Sequence, residues 1–155
     1  MIASPLAIPF FVGVGLYAVW SDARYRRLSN TLVAVTALGG LGLTIAAGGV
    51  AAPGSNLLHG AVALLFGLPL FAWRLMGGGD VKYYAAVATW FPLDQGFRLL
   101  AFVSLSGMLL AAGWLVWRWT FGGPARSPET PQADKVPFGI AIVCGGLLTA
   151  LAWPQ

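Results

Sequence analysis

The chain is poor in charge. Only 9% of its 155 residues are Asp, Glu, Lys or Arg, against about 25% in an ordinary soluble domain. Nine basic and five acidic side chains cannot clothe a soluble globule of this size. Intrinsic disorder is excluded, because the chain is apolar rather than charged. A nucleic-acid module is disfavoured: the net charge is +4, but the basic groups are too few to form a stripe. The one cysteine, Cys144, leaves no internal disulfide and no cysteine-built zinc site. The one histidine, His59, removes HExxH metalloprotease chemistry. A Ser–His–Asp site would have to rest on that same residue, which lies in an apolar stretch beside an expected loop. His59 is read as an ordinary residue of the membrane interface.

What is abundant is apolar surface. Hydrophobic residues reach 58% and the mean hydropathy is +0.78, which leaves an integral membrane protein as the class. The charges partition the chain. Met1 to Ser21 carries none and has no basic n-region, so it reads as a retained first span rather than a signal peptide. Asp22, Arg24, Arg26 and Arg27 follow as a polar island. Leu28 to Trp73 is again uncharged, enough chain for two crossings at ~20 residues each, with the turn-forming run Ala52-Pro53-Gly54-Ser55-Asn56 between them. A second island runs from Arg74 to Lys82. Leu99 to Trp117 and Val136 to Gln155 are further apolar runs, separated by a loop rich in Pro, Gly and charge that holds Glu129 and Asp134. Residues 1–155 read as a single membrane domain without internal repeats.

The segment after Asp80 is short. A helix from Val81 to Pro92 rises only about 18 Å against a hydrocarbon core of ~30 Å, so it either spans with sunken ends or is re-entrant. The distribution of positive charge arbitrates. With six spans, Arg24, Arg26, Arg27, Arg74, Lys82, Arg118, Arg126 and Lys135 share one side and only Arg98 lies on the other. With five, the separation is much weaker. The expectation is therefore an all-α polytopic membrane protein with six transmembrane helices, the fourth short, both termini periplasmic and both polar islands cytoplasmic. Trp20, Trp73, Trp90, Trp114, Trp117, Trp119 and Trp153 fall largely near span ends, as an aromatic belt requires. The pairs Gly39-Gly40, Gly48-Gly49 and Gly145-Gly146 suit close helix packing in lipid.

Two acids remain for chemistry. Asp22 ends the first span and Asp80 lies between the third and fourth, both on the cytoplasmic side at similar depth; Asp94 falls in an outer loop. Ionisable groups at membrane depth are costly and are functional candidates. Taken singly, Asp22 could pair with Arg26 at (i, i+4), and Asp80 could cap the fourth helix after the Gly77-Gly78-Gly79 turn. Taken together, they suggest a shared site. Two adjacent carboxyls cannot both ionise easily and so share one proton. The ionised one can deprotonate a water while the protonated one polarises a carbonyl and later assists the leaving amine. Holding that proton near pH 7 costs about 4 kcal/mol relative to an ordinary carboxyl, which burial and the neighbouring charge can supply.

Gly77-Gly78-Gly79-Asp80-Val81-Lys82 contains Gly-x-Gly-Asp-x-Lys. It resembles the signature of the GxGD intramembrane aspartyl proteases in their type IV prepilin peptidase form. The segment Asp22-Ala-Arg24-Tyr-Arg26-Arg27-Leu28-Ser29-Asn30 resembles that family's first-aspartate segment, although Ser29 stands where proline is common. Pro137-Phe138-Gly139 resembles the opening of its last span. The resemblance implies catalytic roles for Asp22 and Asp80, motif positions at Gly77 and Gly79, a recurrent position at Lys82 with Asp80 as a possible electrostatic partner, and orienting positions at Arg27 and Asn30. It implies cleavage of prepilin or pseudopilin leaders at the cytoplasmic face of the bacterial inner membrane, with no metal and no cofactor. The partners it implies are a prepilin substrate and the lipid bilayer. The tetracysteine segment of the long, methylating members is absent, so the chain resembles the short Flp/Tad-type enzymes, and N-methyltransferase activity is not expected. A non-catalytic membrane subunit of a pilus or secretion assembly and a small proton-coupled transporter are the alternatives. The transporter is disfavoured because proton relays place their acids nearer the midplane.

Overall fold

The computed structural model describes residues 6–25, 27–48, 53–121 and 138–152. Arg26, Arg126, Glu129, Asp134, Lys135, Pro137 and Trp153, which enter the expectations above, lie outside these residues. The described chain forms six α-helices: α1 (Ala7–Tyr25), α2 (Asn30–Gly48), α3 (Gly54–Ala72), α4 (Gly78–Ala88), α5 (Gly96–Phe121) and α6 (Phe138–Leu151), with a 3-10 turn at Leu93–Gln95 before α5. Three helical stretches are long and apolar enough to cross a membrane: Asn30–Gly48, Gly54–Ala72 and Leu93–Phe121. The apolar α6 has 14 residues. α1 matches α2 at 19 residues, but its last two turns carry Asp22 and Arg24.

Local chemistry sets the boundaries. The Leu32 N–H donates to Ser29 Oγ at 3.1 Å, so Ser29 is the N-cap of α2. Ser55 and Asn56, expected in a turn, lie inside the first turn of α3. Both bond across to the far side of α4: Ser55 Oγ accepts the Leu93 N–H at 2.9 Å, and Asn56 Nδ2 donates to the Thr89 carbonyl at 2.9 Å. α3 closes in a Schellman motif: the N–H of Leu75 bonds Leu70 O and that of Arg74 bonds Phe71 O. Arg74 takes the left-handed conformation there, φ 59°, at a position that usually holds glycine.

α4 is the centre of the bundle. It packs on α2, α3 and α6, while α1 lies against α2 and α6, and α5 against α6. Tyr83, Val87 and Ala88 of α4 join Phe11, Trp90, Leu99 and Ile142 in one core. The α5–α6 contact is a backbone approach: a Cβ on Gly145 would lie 2.5 Å from Val103 Cα. Trp90 is not part of an aromatic belt. It is 5% exposed, its Nε1 donates to the Thr36 carbonyl and its ring meets Phe11 edge-on at 4.9 Å.

The short helix is accommodated by polar side chains of α3. α4 has 11 residues and ends within the bundle, where free carbonyls are costly. Asn56 satisfies Thr89 O, and His59 Nδ1 bonds Phe91 O at 2.9 Å. His59, expected at the interface, is 3% exposed. It is structural, but it is held inside the packing by that carbonyl, a partner 32 residues away in sequence.

Candidate active site

Asp22 lies in the last turn of α1 and is buried, 6% exposed. Its Oδ2 accepts the N–H of Gly139, the second residue of α6, at 2.9 Å. A Cβ at Gly139 would fall 2.8 Å from that oxygen, so the carboxylate occupies the place a side chain would take. Ser21, beside it, donates from Oγ to the Arg27 carbonyl at 2.9 Å and folds the chain sharply after α1.

Asp80 sits in the first turn of α4. The expected helix began at Val81; the observed one begins at Gly78 and its N-cap is Gly77, in an extended conformation with no side-chain cap. Asp80 is therefore not the N-cap but the third helical residue, the position from which a carboxylate reaches back over the cap. Its Oδ2 lies 2.6 Å from where a Gly77 Cβ would stand. A side chain at Gly77 would push the carboxylate from this position. Gly79 faces Leu28, where a Cβ on the glycine would lie 3.6 Å from Leu28 Cβ, and brings α4 close to the link between α1 and α2.

The remaining motif residues join the same end of the bundle. Lys82 is exposed, and its Nζ donates to Asn30 Oδ1, 3.2 Å away, tying α4 to the start of α2. The Arg27 carbonyl anchors Ser21 and its residue is exposed. Hence the C-terminal turn of α1 and the N-terminal turns of α2, α4 and α6 lie together, with both aspartates among them. Arg98 marks the opposite end, where its guanidinium donates to the Ala152 carbonyl. Among the described residues no cluster of three or more His, Cys, Asp or Glu could hold a metal ion.

Gly139 is a residue of this candidate site that sequence reasoning did not single out. The Pro137-Phe138-Gly139 run marks the start of a span, but nothing local says that its N–H meets a carboxylate 117 residues earlier. Each carboxylate meets a helix N-terminus, Asp22 from the end of α1 against the first turn of α6 and Asp80 within the first turn of α4, where N–H groups point outward and the helix dipole favours an anion. Chemically, the arrangement offers two carboxyl groups at one end of an apolar bundle, each pressed against a glycine.

No curated protein and no solved structure matches the chain. A sequence model of the type IV leader peptidase family matches residues 9–116, a stretch that includes both aspartates and the Gly-x-Gly-Asp element. The match covers well over half of the chain, and the chain belongs to the type IV leader peptidase family.

Proposed function

We propose that the protein is a membrane-embedded aspartic endopeptidase that removes the leader from type IV prepilins or pseudopilins, in the manner of the short Flp/Tad-type enzymes. Its site faces the cytoplasm at the bacterial inner membrane, within one six-span domain formed by residues 1–155. The observation that carries this reading is the shared placement of Asp22 and Asp80. Both stand at the end of the bundle that gathers Arg24, Arg27, Arg74 and Lys82, the end that charge bias assigns to the cytoplasm.

In the proposed reaction one aspartate is ionised and the other protonated. The ionised carboxylate takes a proton from water, and the hydroxide attacks the scissile carbonyl carbon. The protonated carboxyl donates to the carbonyl oxygen as negative charge develops there. Collapse of the tetrahedral intermediate breaks the C–N bond, and the amine leaves with a proton from a carboxyl. The products are a leader ending in a carboxylate and a membrane helix with a new amino terminus. The Gly139 N–H holds Asp22 in place throughout. Gly77 and Gly79 keep the approach to Asp80 free of side chains, so an extended strand can lie across the turn. Lys82 and Asn30 brace the first turn of α4 against α2, and Arg27 holds the link after α1 through its carbonyl.

Co-expression with a panel of Flp-type prepilins tests this, with leader removal followed by gel shift and N-terminal sequencing. Wild type cuts; Asp22→Asn and Asp80→Asn, at equal membrane levels, lose at least about 100-fold in rate. The wild-type rate falls on both sides of an optimum pH, because one carboxyl must be charged and the other neutral. Wild-type rates in either variant would remove that aspartate from the chemistry. A non-catalytic assembly subunit predicts no leader removal by wild type and an assembly function that both variants keep.

A further inference from the structure

The shortness of α4 leaves a space above it. α3 and α5 share no extended packing seam among the described residues, and between them lies a cleft of about 490 Å³ floored by Val81 and Tyr84 of α4. Its walls are Val62, Ala63, Phe66 and Leu70 on α3 and Phe97, Leu100 and Ser104 on α5. Phe66 and Phe97 are 72% and 83% exposed, so the cleft opens sideways, toward the bilayer in the proposed topology. The lining holds no charge; its polar side chains are His59, whose Nδ1 is engaged by Phe91, Tyr84 and Ser104.

The ends of the cleft say what it is for. One end is closed by His59, Leu93 and Gly96. The other is formed by Met76 and Phe138, the residues immediately before Gly77 and Gly139, the two glycines against which the carboxylates rest. From His59 to Leu70 the α3 wall runs eleven residues, about 16 Å or three helical turns. A helix seated there presents side chains at i, i+3, i+4 and i+7 to the walls, and the chain preceding it emerges beside Asp22 and Asp80.

We infer that the cleft between α3 and α5 is the docking groove for the uncharged membrane helix of the substrate. This rests on the leader-peptidase reading above and deepens it. The cut bond lies on the N-terminal side of the substrate helix, so that helix enters with its N-terminus at Met76 and Phe138 and runs toward His59, antiparallel to α3 and α5. Binding free energy gained along the groove is remote from the reacting bond and serves to place it.

Two measurements test the inference on the full chain in native membranes, with a prepilin that wild type cuts. Ala63→Trp and Ser104→Trp fill the groove; Leu109→Trp changes an exposed residue on the opposite face of α5. The groove variants raise KM at least ten-fold and leave kcat within two-fold, and Leu109→Trp leaves both unchanged. The milder Ser104→Leu follows the same direction should a tryptophan impair folding. For direction, cysteines replace Leu70 and Val62 in a Cys144→Ser, Asp80→Asn background. Leu70→Cys forms a disulfide with a cysteine in the first turn of the prepilin helix, and Val62→Cys with one about two turns on. Unchanged KM in all groove variants, the reverse cross-linking order, or cross-links as strong at Leu109→Cys overturns the groove. Wild-type kinetics without cross-links would instead assign the cleft to a lipid acyl chain. If wild type cuts no prepilin while properly inserted, the peptidase reading fails and takes the named substrate with it. Cleavage with indifferent groove variants removes the groove alone.

Discussion

A single methyl group suffices to test the geometry around either carboxylate. Gly139→Ala places a carbon 2.8 Å from Asp22 Oδ2, and Gly77→Ala places one 2.6 Å from Asp80 Oδ2, closer than van der Waals contact permits. The backbone of either position tolerates alanine: neither glycine takes a left-handed φ. The cost therefore falls on the carboxylate, which must shift. Displacements of this order cost up to about 100-fold in rate, so each variant is expected to lower kcat at least ten-fold while inserting normally, measured by prepilin cleavage at matched membrane levels. At this scale the sequence was half legible. Asp22 and Asp80 could be picked out because acids are so few, and Gly77 because it precedes Asp80. Gly139 could not, since its partner is distant in the chain and glycine in a membrane span has the ordinary explanation of close packing.

At the scale of elements, α4 was the difficult one, and the difficulty was physical. Three consecutive glycines read as a turn by propensity, yet Gly78 and Gly79 are helical, with Phe71 and Leu28 packed close against them and Asp80 folded back over Gly77. Tertiary contact overrode propensity, and contact is what a single sequence conceals. The other end of α4 depends on the two polar residues of α3. His59→Phe leaves the Phe91 carbonyl without its partner, and Asn56→Leu does the same to Thr89; each is expected to destabilise the protein by about 1–3 kcal/mol, read as a lower midpoint of unfolding in detergent. Arg74 works in the opposite sense. Its φ of 59° strains a residue with a Cβ, so Arg74→Gly is expected to stabilise the protein by about 1 kcal/mol in the same measurement.

For the whole molecule, charge bias and hydropathy favoured six spans, and the bundle supplies six helices among its described residues, three of them plainly long and apolar enough to cross. The six-span topology itself is tested at the turn after α4. In a Cys144→Ser background, Asp94→Cys is expected to react with an impermeant thiol reagent added to intact cells, while Leu75→Cys reacts only after the cells are broken. If Asp94→Cys also needs broken cells, α4 is re-entrant and the chain crosses five times. Membrane class and fold class were legible from composition, because they depend on sums over many residues. The cleft between α3 and α5 was not, because it arises from unequal helix lengths and from neighbours that do not meet.

The two carboxylates are anchored to different bodies, Asp22 to α6 through Gly139 and Asp80 to the first turn of α4. Neither motif, then, sets how far apart they stand. That gauge is the spacing between α4 and α6, and where those helices meet, a Cβ on Gly146 would lie 3.2 Å from Val87 Cγ1 and 2.6 Å from Phe11 Cζ. Gly146 lies about 10 Å along α6 from Gly139, away from either charge. A residue with no side chain acts there as a shim, and thickening it would spread the acids apart while leaving every residue of both motifs unchanged.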